Sequence, residues 1–403
     1  MPFARTAPLL TELERALPDR PFSISMWDGT GLASTNGNGP TFHVRSPAAL
    51  AHALRAPGQL GMGRAYVSGE LEVDDLDAVL ETLDSWQPPH LDRGARARLL
   101  VAAARACGVR RPPPAPAAEL RPRGRRHSRA RDARAVRHHY DLPAEFFRLF
   151  LGPSMTYSCA LFSRGATTLE EAQEQKLELV CTKLGLQPGR RVLDIGCGWG
   201  SFALHAAARH GVHVTGITLS RPQAELARRR AAEQGLDDKV DIRVADYREL
   251  DDAPFDAIAS IGMVEHVGAS RIDLYAEQVT RLLRPGGRLL NHGITRLRHG
   301  DPEAGPFSER YVFPDAAPLH LSRIQSALER AGLVTDHVEG LQDDYAMTLT
   351  HWLRGLEDNL DEAVQLAGPE RVRVWRLYLR TARKGFESGF LSIYQVLGHK
   401  PAG

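Results

Sequence analysis

The chain has 403 residues, of which 43% are hydrophobic and 25% are charged, and its 51 Lys and Arg against 49 Asp and Glu give a net charge of +2. This length suits two or three domains with hydrophobic cores, and the balanced charge excludes a strongly acidic protein or one that binds polyanions over its whole surface. The four cysteines form no C-x-x-C pair and no histidine-rich pattern, which argues against a disulfide scaffold or a metal site and is typical of a reducing compartment.

The first part of the chain, residues 1–109, is predicted to form a small α+β domain. Its opening residues, MPFARTAPLLTELERALPDR, lack the apolar core of a signal peptide. This part mixes strand-like runs (FSISMWDG and TFHVRS) with helical runs (PAALAHALRA and DDLDAVLETLD). No stretch approaches the ~20 apolar residues of a membrane span. We therefore expect a soluble, cytoplasmic protein.

Residues 110–137 read RRPPPAPAAELRPRGRRHSRARDARAVR and are predicted to be a linker, because prolines and like charges cannot bury a core. The arginines from Arg121 to Arg137 could also be attracted to anionic lipid headgroups, at ~1 kcal/mol per charge near the surface. Binding to nucleic acid is not expected, because no aromatic side chains are interleaved for base stacking. A solvated linker and a membrane contact both remain open, and residues 138–403 form the third part.

After the linker the pattern changes to alternating helices and strands. Thr168 and Glu171 predict a capping box for a helix that stops at Gly185, and Ser220 predicts the start of another. The runs RVLDI, VHVTGIT, VDIRVA, FDAIASI and RLLNHGI are predicted strands, with a turn at Pro285-Gly286-Gly287 before the last. Buried strands that alternate with amphipathic helices indicate an α/β fold with a mostly parallel, doubly wound sheet.

A glycine-rich turn follows the first of these strands. RVLDI, with Asp194 near its end, runs into Gly196-Cys197-Gly198-Trp199-Gly200 and then into a helix. Glycines at this point let the backbone turn sharply and approach a ligand beyond the carboxyl end of a strand. The spacing differs from the GxGxxG of dinucleotide sites, which disfavours NAD. A purely structural turn is the alternative.

This stretch resembles the first motif of class I S-adenosylmethionine-dependent methyltransferases, which implies a Rossmann-like domain in which Gly196 and Gly198 contact the methionine part of the cofactor. Many such enzymes hold the ribose with an acidic residue after the second strand. This chain has TLSRPQ from Thr218 to Gln223 instead, so hydroxyl and amide groups would take that role. Asp246 and Tyr247 would flank the adenine, unless they are ordinary loop residues.

The segment HHYDLPAEFFRLFLGPSMTYSCALF, with EAQEQKLELV, GITLS, SIGMVEHVG and LLRPGGRLLNHGI, resembles the cyclopropane-fatty-acyl-phospholipid synthase family from about His138 to Tyr394. GQLGMGRAYVSGELEVDDLDAVL resembles the extra N-terminal domain of the full-length phospholipid enzymes. The resemblance implies an unsaturated phospholipid as substrate, peripheral association with the inner face of the membrane and a homodimer. The cofactor-binding residues it implies are Tyr157, Ser158, Asp194, Gly196, Gly198, Thr218, Leu219, Ser220, Gln223, Asp246 and Tyr247.

The chemistry that this resemblance implies needs a base. Methyl transfer to an alkene leaves a carbocation, and closure of a cyclopropane ring requires loss of a proton from the added methyl group. The resemblance implies that the base is a bound bicarbonate held by Cys159, Glu265, His292, Ile294 and Tyr345, with Cys159 and Ile294 acting largely through backbone groups. Glu265 beside an anion requires a shared proton or a hydrogen bond from the bicarbonate hydroxyl.

Several alternatives remain open at this point. His292 could be a core histidine, Tyr345 could simply pack, and Gly293 stands where the family more often has threonine. The same methyl transfer could end in a methylene or methyl branch, as in a fatty acid C-methyltransferase. A non-catalytic lipid-binding protein with a relic cofactor fold is a further possibility, and so is a methyltransferase of nucleic acid or of a small metabolite.

Overall fold

The computed structural model describes residues 5–108, 113–120, 124, 128, 131–132, 134, 142–298 and 305–402. Its contacts divide the chain into two units. The first comprises Met1–Leu120, Gly305–Tyr311 and Ala367–Thr381, and the second comprises Arg121–Ala304, Val312–Leu366 and Ala382–Gly403. The division predicted from composition is linear, whereas these units are discontinuous, and the predicted boundaries stay a prediction. In the part of the chain that the structure describes, no helix is both long and apolar enough to cross a bilayer.

The secondary structure is given in chain order. It begins with α1 (Ala7–Ala16), β1 (Ser23–Met26), β2 (Gly31–Leu32), β3 (Thr41–Val44), α2 (Pro47–Arg55), α3 (Gln59–Val67), β4 (Leu71–Val73), α4 (Leu76–Ser85) and α5 (Arg93–Cys107). It continues with α6 (Ala144–Leu151), α7 (Leu169–Leu184), β5 (Arg191–Ile195), α8 (Ser201–His210), β6 (His213–Thr218), α9 (Arg221–Glu233), β7 (Val240–Val244), β8 (Phe255–Ile261) and α10 (Ile272–Leu282). It ends with β9 (Leu283–Arg296), α11 (Pro306–Tyr311), β10 (Leu319–His320), α12 (Leu321–Arg330), β11 (Val334–Gly340), α13 (Gln342–Asp358), α14 (Leu360–Ala367), α15 (Pro369–Glu387) and β12 (Leu391–His399).

The first unit is built on a small four-stranded sheet in the order β2-β1-β3-β4. Strands and helices are mixed in this unit as the sequence predicts. Asp75 caps α4, and its carboxylate accepts hydrogen bonds from the backbone N–H groups of Asp77 and Ala78. Glu119 forms an ion pair with Arg64 at 2.6 Å, and its own side chain is fully buried. Glu119 lies in the stretch predicted to be a linker. The buried ion pair holds this part of the stretch in place, and the predicted bounds of the linker stay a prediction.

The second unit contains a larger sheet in the order β11-β12-β9-β8-β5-β6-β7, with β10 paired to β9. Strand β5 pairs in parallel with both β6 and β8, and β9 pairs in parallel with β8. Strand β12 is antiparallel to β9 and to β11. The predicted doubly wound, mostly parallel sheet is confirmed. Because the chain leaves β5 toward one side and later returns to the other, a crevice opens beyond the carboxyl end of β5.

Local sequence signals set the helix ends around this crevice. The predicted capping box of α7 is present between Thr168 and Glu171, and Gly185 ends the helix in the left-handed conformation. Ser220 caps α9 by accepting a hydrogen bond from the backbone N–H of Gln223. The turn predicted at Pro285–Gly287 lies within β9 instead, because the pairing of β8 with β9 shifts register there and the strand accommodates the bend.

Candidate active site

The carboxyl ends of β5, β6, β7 and β8 surround a cleft that encloses about 970 Å³, counting the part open to solvent. It is lined by the predicted residues Gly196, Gly198, Thr218, Leu219, Gln223, Asp246 and Tyr247, among others. A second pocket shares the glycine loop and Gln223 with it, and adds Tyr157, Ser158 and Asp194. The structure therefore gathers all predicted cofactor-binding residues except Ser220 around one crevice.

The glycine loop turns back immediately after β5. The backbone N–H groups of Gly196 and Cys197 both donate to the carbonyl of Ile217, each at 2.9 Å, which fixes the loop against the end of β6. Gly196 and Gly198 have φ values of +81° and +55°. A Cβ atom at position 198 would meet no atom within 4 Å, so it would project into open space where Gly198 lines the cleft. The loop thus presents bare backbone to a ligand.

Lys176 lines the second pocket, and the sequence analysis did not single it out. Its side chain is only 1% exposed, and its Nζ donates to the Ser158 Oγ at 2.8 Å. Burial lowers the pKa of Lys176 to about 8, and the nearby charge of Asp194 opposes this shift. Burial likewise raises the pKa of Asp194 to about 7, against the effect of Lys176, and the Asp194 Oδ2 has no hydrogen-bond partner among the described residues. An unpaired buried carboxylate oxygen at a pocket wall is available to a ligand.

Replacing Lys176 by methionine is expected to weaken cofactor binding about 10-fold or more. The change keeps the length of the side chain but removes the hydrogen bond to Ser158 and the positive charge beside Asp194, and a hydrogen bond to a charged group contributes ~1.5–3 kcal/mol. Calorimetric titration with S-adenosylmethionine measures the loss. Lys183→Met is the matched control, because Lys183 lies on the same helix and pairs with Glu339 and Gln395. Equal affinities in both variants would contradict the assignment.

The end of β6 forms a hydroxyl and amide cluster in place of the acidic residue. The Thr218 Oγ1 donates to the Gln223 Oε1 at 2.7 Å and accepts from the backbone N–H of Ser220 at 3.1 Å. Thr218, Leu219 and Gln223 line the cleft, whereas Ser220 is buried and lines neither pocket. Ser220 therefore acts through the start of α9, and Gln223 presents its amide to the cleft.

Asp246 and Tyr247 lie at the end of β7, and an arginine that sequence reasoning missed holds the aspartate. The Arg248 guanidinium forms two hydrogen bonds with the Asp246 carboxylate, at 2.8 and 2.5 Å, and a third with Asp132 at 3.0 Å. These contacts raise the pKa of Arg248. Asp246 is thus fixed in one orientation at the cleft wall.

Arg131 and Asp132 of the arginine-rich segment lie at this cleft. Arg131 forms two hydrogen bonds with the Asp315 carboxylate, at 2.5 and 2.6 Å, and both Asp132 and Asp315 line the cleft. The charges of Arg131 and Asp132 thus pair with buried or half-buried groups of the same chain, while the linker itself stays a prediction. Most of the other arginines of this segment lie outside the described residues, and their role stays a prediction.

The predicted catalytic residues form a second cluster next to the cofactor pockets. The Glu265 Oε1 accepts from the backbone N–H of Ile294 at 2.6 Å, while its Oε2 has no hydrogen-bond partner in the described part of the chain. Burial raises the pKa of Glu265 to about 7. His292 is fully buried, its Nδ1 faces the Gln395 amide at 3.2 Å, and no described residue hydrogen-bonds to its Nε2. Burial lowers the pKa of His292 well below its ordinary value, so its ring is neutral.

Cys159 and Tyr345 join this cluster through Leu341. The Cys159 Sγ lies 3.7 Å from the Leu341 carbonyl, which also accepts from the backbone N–H of Tyr345 at 3.1 Å. Leu341 in turn donates to Ile393, which is paired with Ile294 across β12 and β9. Burial raises the pKa of the Cys159 thiol, so this cysteine stays protonated and is a poor nucleophile. The roles of the predicted catalytic residues stay predictions.

Gly293, between His292 and Ile294, is constrained by packing. A Cβ atom at this position would lie 2.3 Å from the Val264 side chain. Val264 is 1% exposed and begins the short helical turn that carries Glu265. A threonine at position 293 would therefore require a smaller residue at 264, and the two positions are matched in this chain.

The chain is similar to a known protein family, to individual relatives and to a solved structure. Residues 127–396 match the family described as Mycolic acid cyclopropane synthetase. The chain is 38% identical over 409 residues to a probable fatty acid methyltransferase of Mycobacterium tuberculosis, covering 97% of this chain and 94% of that protein. It is 33% identical over 369 residues to the cyclopropane-fatty-acyl-phospholipid synthase of Escherichia coli, covering 90% of this chain and 88% of that protein. A crystal structure of mycolic acid cyclopropane synthase CmaA1 complexed with SAH and CTAB is similar at a TM-score of 0.63 and 35% identity, covering 66% of this chain and 98% of that one.

Proposed function

Because the chain belongs to the mycolic acid cyclopropane synthetase family and is an S-adenosylmethionine-dependent methyltransferase, we propose that it modifies the cis double bond of unsaturated phospholipid acyl chains to a cyclopropane ring. One observation carries this proposal. A buried carboxyl group and a neutral, buried imidazole, those of Glu265 and His292, each keep a polar atom without a partner among the described residues. Such a pair suits a reaction that must remove one proton in a dry site.

The residues around the crevice fit S-adenosylmethionine. The glycine loop offers backbone without side chains, the Asp194 Oδ2 is buried without a partner in the described part of the chain, and the cleft is lined by most of the predicted cofactor-binding residues. Tyr157, Ser158 and the glycine loop would hold the methionine part, Thr218 and Gln223 the ribose, and Asp246 and Tyr247 the adenine. When bound, S-adenosylmethionine supplies an electrophilic methyl group. No nucleophilic side chain is needed, because the alkene itself attacks.

The catalytic cluster would hold bicarbonate through Glu265, His292, Tyr345 and the backbone at Cys159 and Ile294. Bicarbonate would supply the base there. Glu265 fits beside an anion because burial raises its pKa to about 7, so it can share a proton. The backbone N–H of Ile294 orients its Oε1 and leaves the Oε2 for a ligand. The neutral His292 can donate or accept at its Nε2, and its Nδ1 contact with Gln395 fixes the ring.

A second function is favoured by a specific observation. The relative that matches 97% of this chain is named a probable fatty acid methyltransferase, and so is a protein of Pseudomonas putida that is 36% identical over 98% of this chain. In that reaction a hydride first moves from the methyl-bearing carbon to the neighbouring cationic carbon. The new methyl group then loses a proton, a double bond forms to it, and the product carries a methylene branch. Both outcomes use the same cofactor and the same initial bond formation, so only the product distinguishes them.

The decisive experiment is product analysis. The purified enzyme is incubated with S-adenosylmethionine and vesicles of a monounsaturated phospholipid, and the lipids are analysed by mass spectrometry and proton NMR. A cyclopropane product gives high-field ring protons, whereas a methylene product of the same mass gives vinylidene protons. A Gly198→Val enzyme serves as the cofactor-free control. Absence of any mass increase on phospholipid, with methylation of free fatty acid instead, would overturn the proposed substrate.

We also propose that the enzyme reaches its substrate by binding the membrane surface through the arginine-rich segment. Replacing Arg121, Arg123, Arg125 and Arg126, which lie outside the described residues, by glutamine should weaken association with anionic vesicles and make it less sensitive to salt, because each charge near the surface contributes ~1 kcal/mol. Vesicle sedimentation at low and high ionic strength measures the effect. Binding unchanged by the substitutions would exclude the segment as a membrane contact.

The matched control uses an arginine of the same segment that already has a partner. Arg131→Gln removes the ion pair with Asp315 at the cleft, so it should weaken binding of S-adenosylmethionine and change vesicle association less. The variant with all four arginines replaced should instead weaken vesicle association and change binding of S-adenosylmethionine less. The homodimer implied by the resemblance stays a prediction, which sedimentation of the intact chain checks.

A further inference from the structure

Two helices of the second unit bring a thiol, two imidazoles and a carboxylate together. Glu178 and Cys181 lie three residues apart on α7, and α8 carries His205 and ends at His210. One ligand atom from each of Cys181, His205 and His210 lies within 4.8 Å of the other two. The Glu178 Oε2 lies 3.2 Å from the His205 Nε2 and 3.1 Å from the His210 Nε2. None of the four residues lines the cofactor pockets.

We propose that Cys181, His205, His210 and Glu178 form a structural binding site for a divalent cation of the zinc type. Zinc is bound in proteins by thiolate, imidazole and carboxylate groups, and a mixed set of these donors suits it better than magnesium or calcium, which prefer oxygen ligands. The methyl transfer proposed above needs no metal, so this site is independent of that function. Sequence spacing does not reveal it, because the donors come from two separate helices.

The geometry needs only a small contraction. Around a tetrahedral zinc ion with bonds of about 2.0–2.3 Å, ligand atoms lie about 3.3–3.6 Å apart. The present separations, at most 4.8 Å among Cys181, His205 and His210, would shorten by about 1 Å through side-chain rotation. The Nε2 atoms that face Glu178 in the empty site would face the ion. Once bound to the ion, these Nε2 atoms could no longer donate a hydrogen bond to the Glu178 carboxylate. The carboxylate would bind the ion instead, as its fourth ligand.

The surroundings combine a rigid base with access from solvent. Cys181 is fully buried in a core cluster that includes Val180 and Leu184 of α7 and Ala206 of α8. The side chains of His205 and His210 are 11% and 20% exposed, and that of Glu178 is 49% exposed, so an ion can enter past the carboxylate. Four protein donors leave no position open for water or substrate, which is typical of a structural site. A bound ion would fasten α7 to α8.

The test uses the full chain, purified without a histidine tag and treated with a chelator. Calorimetric titration with zinc chloride should show one ion per chain, and titration with cobalt chloride should give the intense visible bands and the thiolate charge-transfer band of a tetrahedral site with a sulfur ligand. Loss of a residue that only supports a metal ligand lowers metal affinity roughly 10–100-fold. His210→Ala and Cys181→Ser each remove a ligand itself, so each should weaken zinc binding by more than that. Cys181→Ser should also abolish the charge-transfer band.

Two control variants keep the test specific. Cys107→Ser removes a half-buried cysteine of the first unit, and His337→Ala removes an exposed histidine beside Glu339. Both should bind zinc like the wild type. His210→Ala changes a largely solvent-facing end of α8 and is expected to fold, so it decides the matter if Cys181→Ser does not. Absence of stoichiometric zinc binding, or binding unchanged in His210→Ala, would overturn the proposal and leave a hydrogen-bonded His–Glu–His cluster over a core thiol.

Discussion

Replacing Gly198 by valine is expected to abolish binding of S-adenosylmethionine to the folded protein. The residue has a φ of +55°, which a β-branched side chain adopts only at a cost. More important, its Cβ position faces open space where the backbone lines the cleft, so the valine side chain would occupy volume that the cofactor needs. Calorimetric titration should show no binding, and activity should fall to background with it.

Gly235→Val separates this loss of binding from backbone strain. Gly235 has a φ of +64° and also has no atom within 4 Å of its Cβ position, but it lies in an exposed turn after α9 and outside both pockets. Its variant should lose a comparable amount of stability and still bind the cofactor. Circular dichroism and thermal unfolding of both variants check that each is folded. Retained affinity in folded Gly198→Val would remove the glycine loop from the cofactor site.

The central strands could be predicted from the sequence because their physical signal is simple. The runs RVLDI and FDAIASI are almost wholly buried, and the structure places β5 and β8 at those same residues. Strand β11 was not predicted. Its residues VTDHVEG are mostly exposed at the sheet edge, so no apolar run marks them. Strand β9 starts five residues before the predicted RLLNHGI, because Leu283 already pairs with Phe255 of β8 and a register shift accommodates the turn before Arg288.

The residues of the site likewise include some that could be predicted from the sequence and some that could not. Residues adjacent to strand ends, such as Gly196 and Asp246, could be predicted because the carboxyl ends of parallel strands meet at one edge of the sheet. Pairings between distant segments could not. Arg131 and Asp315 are separated by 184 positions, and only the folded chain shows that one holds the other at the cleft. Lys176 lies on a helix whose pattern indicates only an amphipathic surface, yet it is buried beside Ser158.

The pH dependence of stability offers a check on the environment of Glu265. Burial raises its pKa to about 7 from an ordinary value of 4.5. Between these two values the folded protein retains a proton that the unfolded chain has lost, so this group makes stability fall as the pH rises from 4.5 to 7 and adds no further change above. Glu265→Gln lacks this contribution. The variant should therefore gain stability relative to the wild type between pH 5 and pH 7.5, as measured by urea unfolding. A stability difference between the variant and the wild type that does not change with pH would contradict the raised pKa of the buried Glu265 carboxyl.

The same Glu265→Gln variant is expected to lower turnover ~100-fold or more while cofactor affinity stays nearly unchanged, because loss of a positioned acid–base group typically costs 10²–10⁴-fold. The amide keeps the shape of the side chain and removes its charge and its ability to share a proton. Tyr345→Phe should also lower turnover. Glu174→Gln, which changes a surface carboxyl on α7 that pairs with Arg209, is the control and should leave turnover close to that of the wild type.

Dependence on bicarbonate then distinguishes the two ways of removing the proton. If bicarbonate is the base, an assay stripped of carbon dioxide should lower the wild-type rate, and added bicarbonate should restore it. Glu265→Gln should respond poorly to that addition, because its side chain can no longer share a proton with the anion while the backbone N–H of Ile294 still holds the amide. A wild-type rate that does not change with bicarbonate would instead indicate that a side chain removes the proton. Glu265 would be the first group to consider, because burial raises its pKa to about 7 and keeps one oxygen unpaired within the described structure. A methylene-branched product in that same assay would decide for the fatty acid methyltransferase.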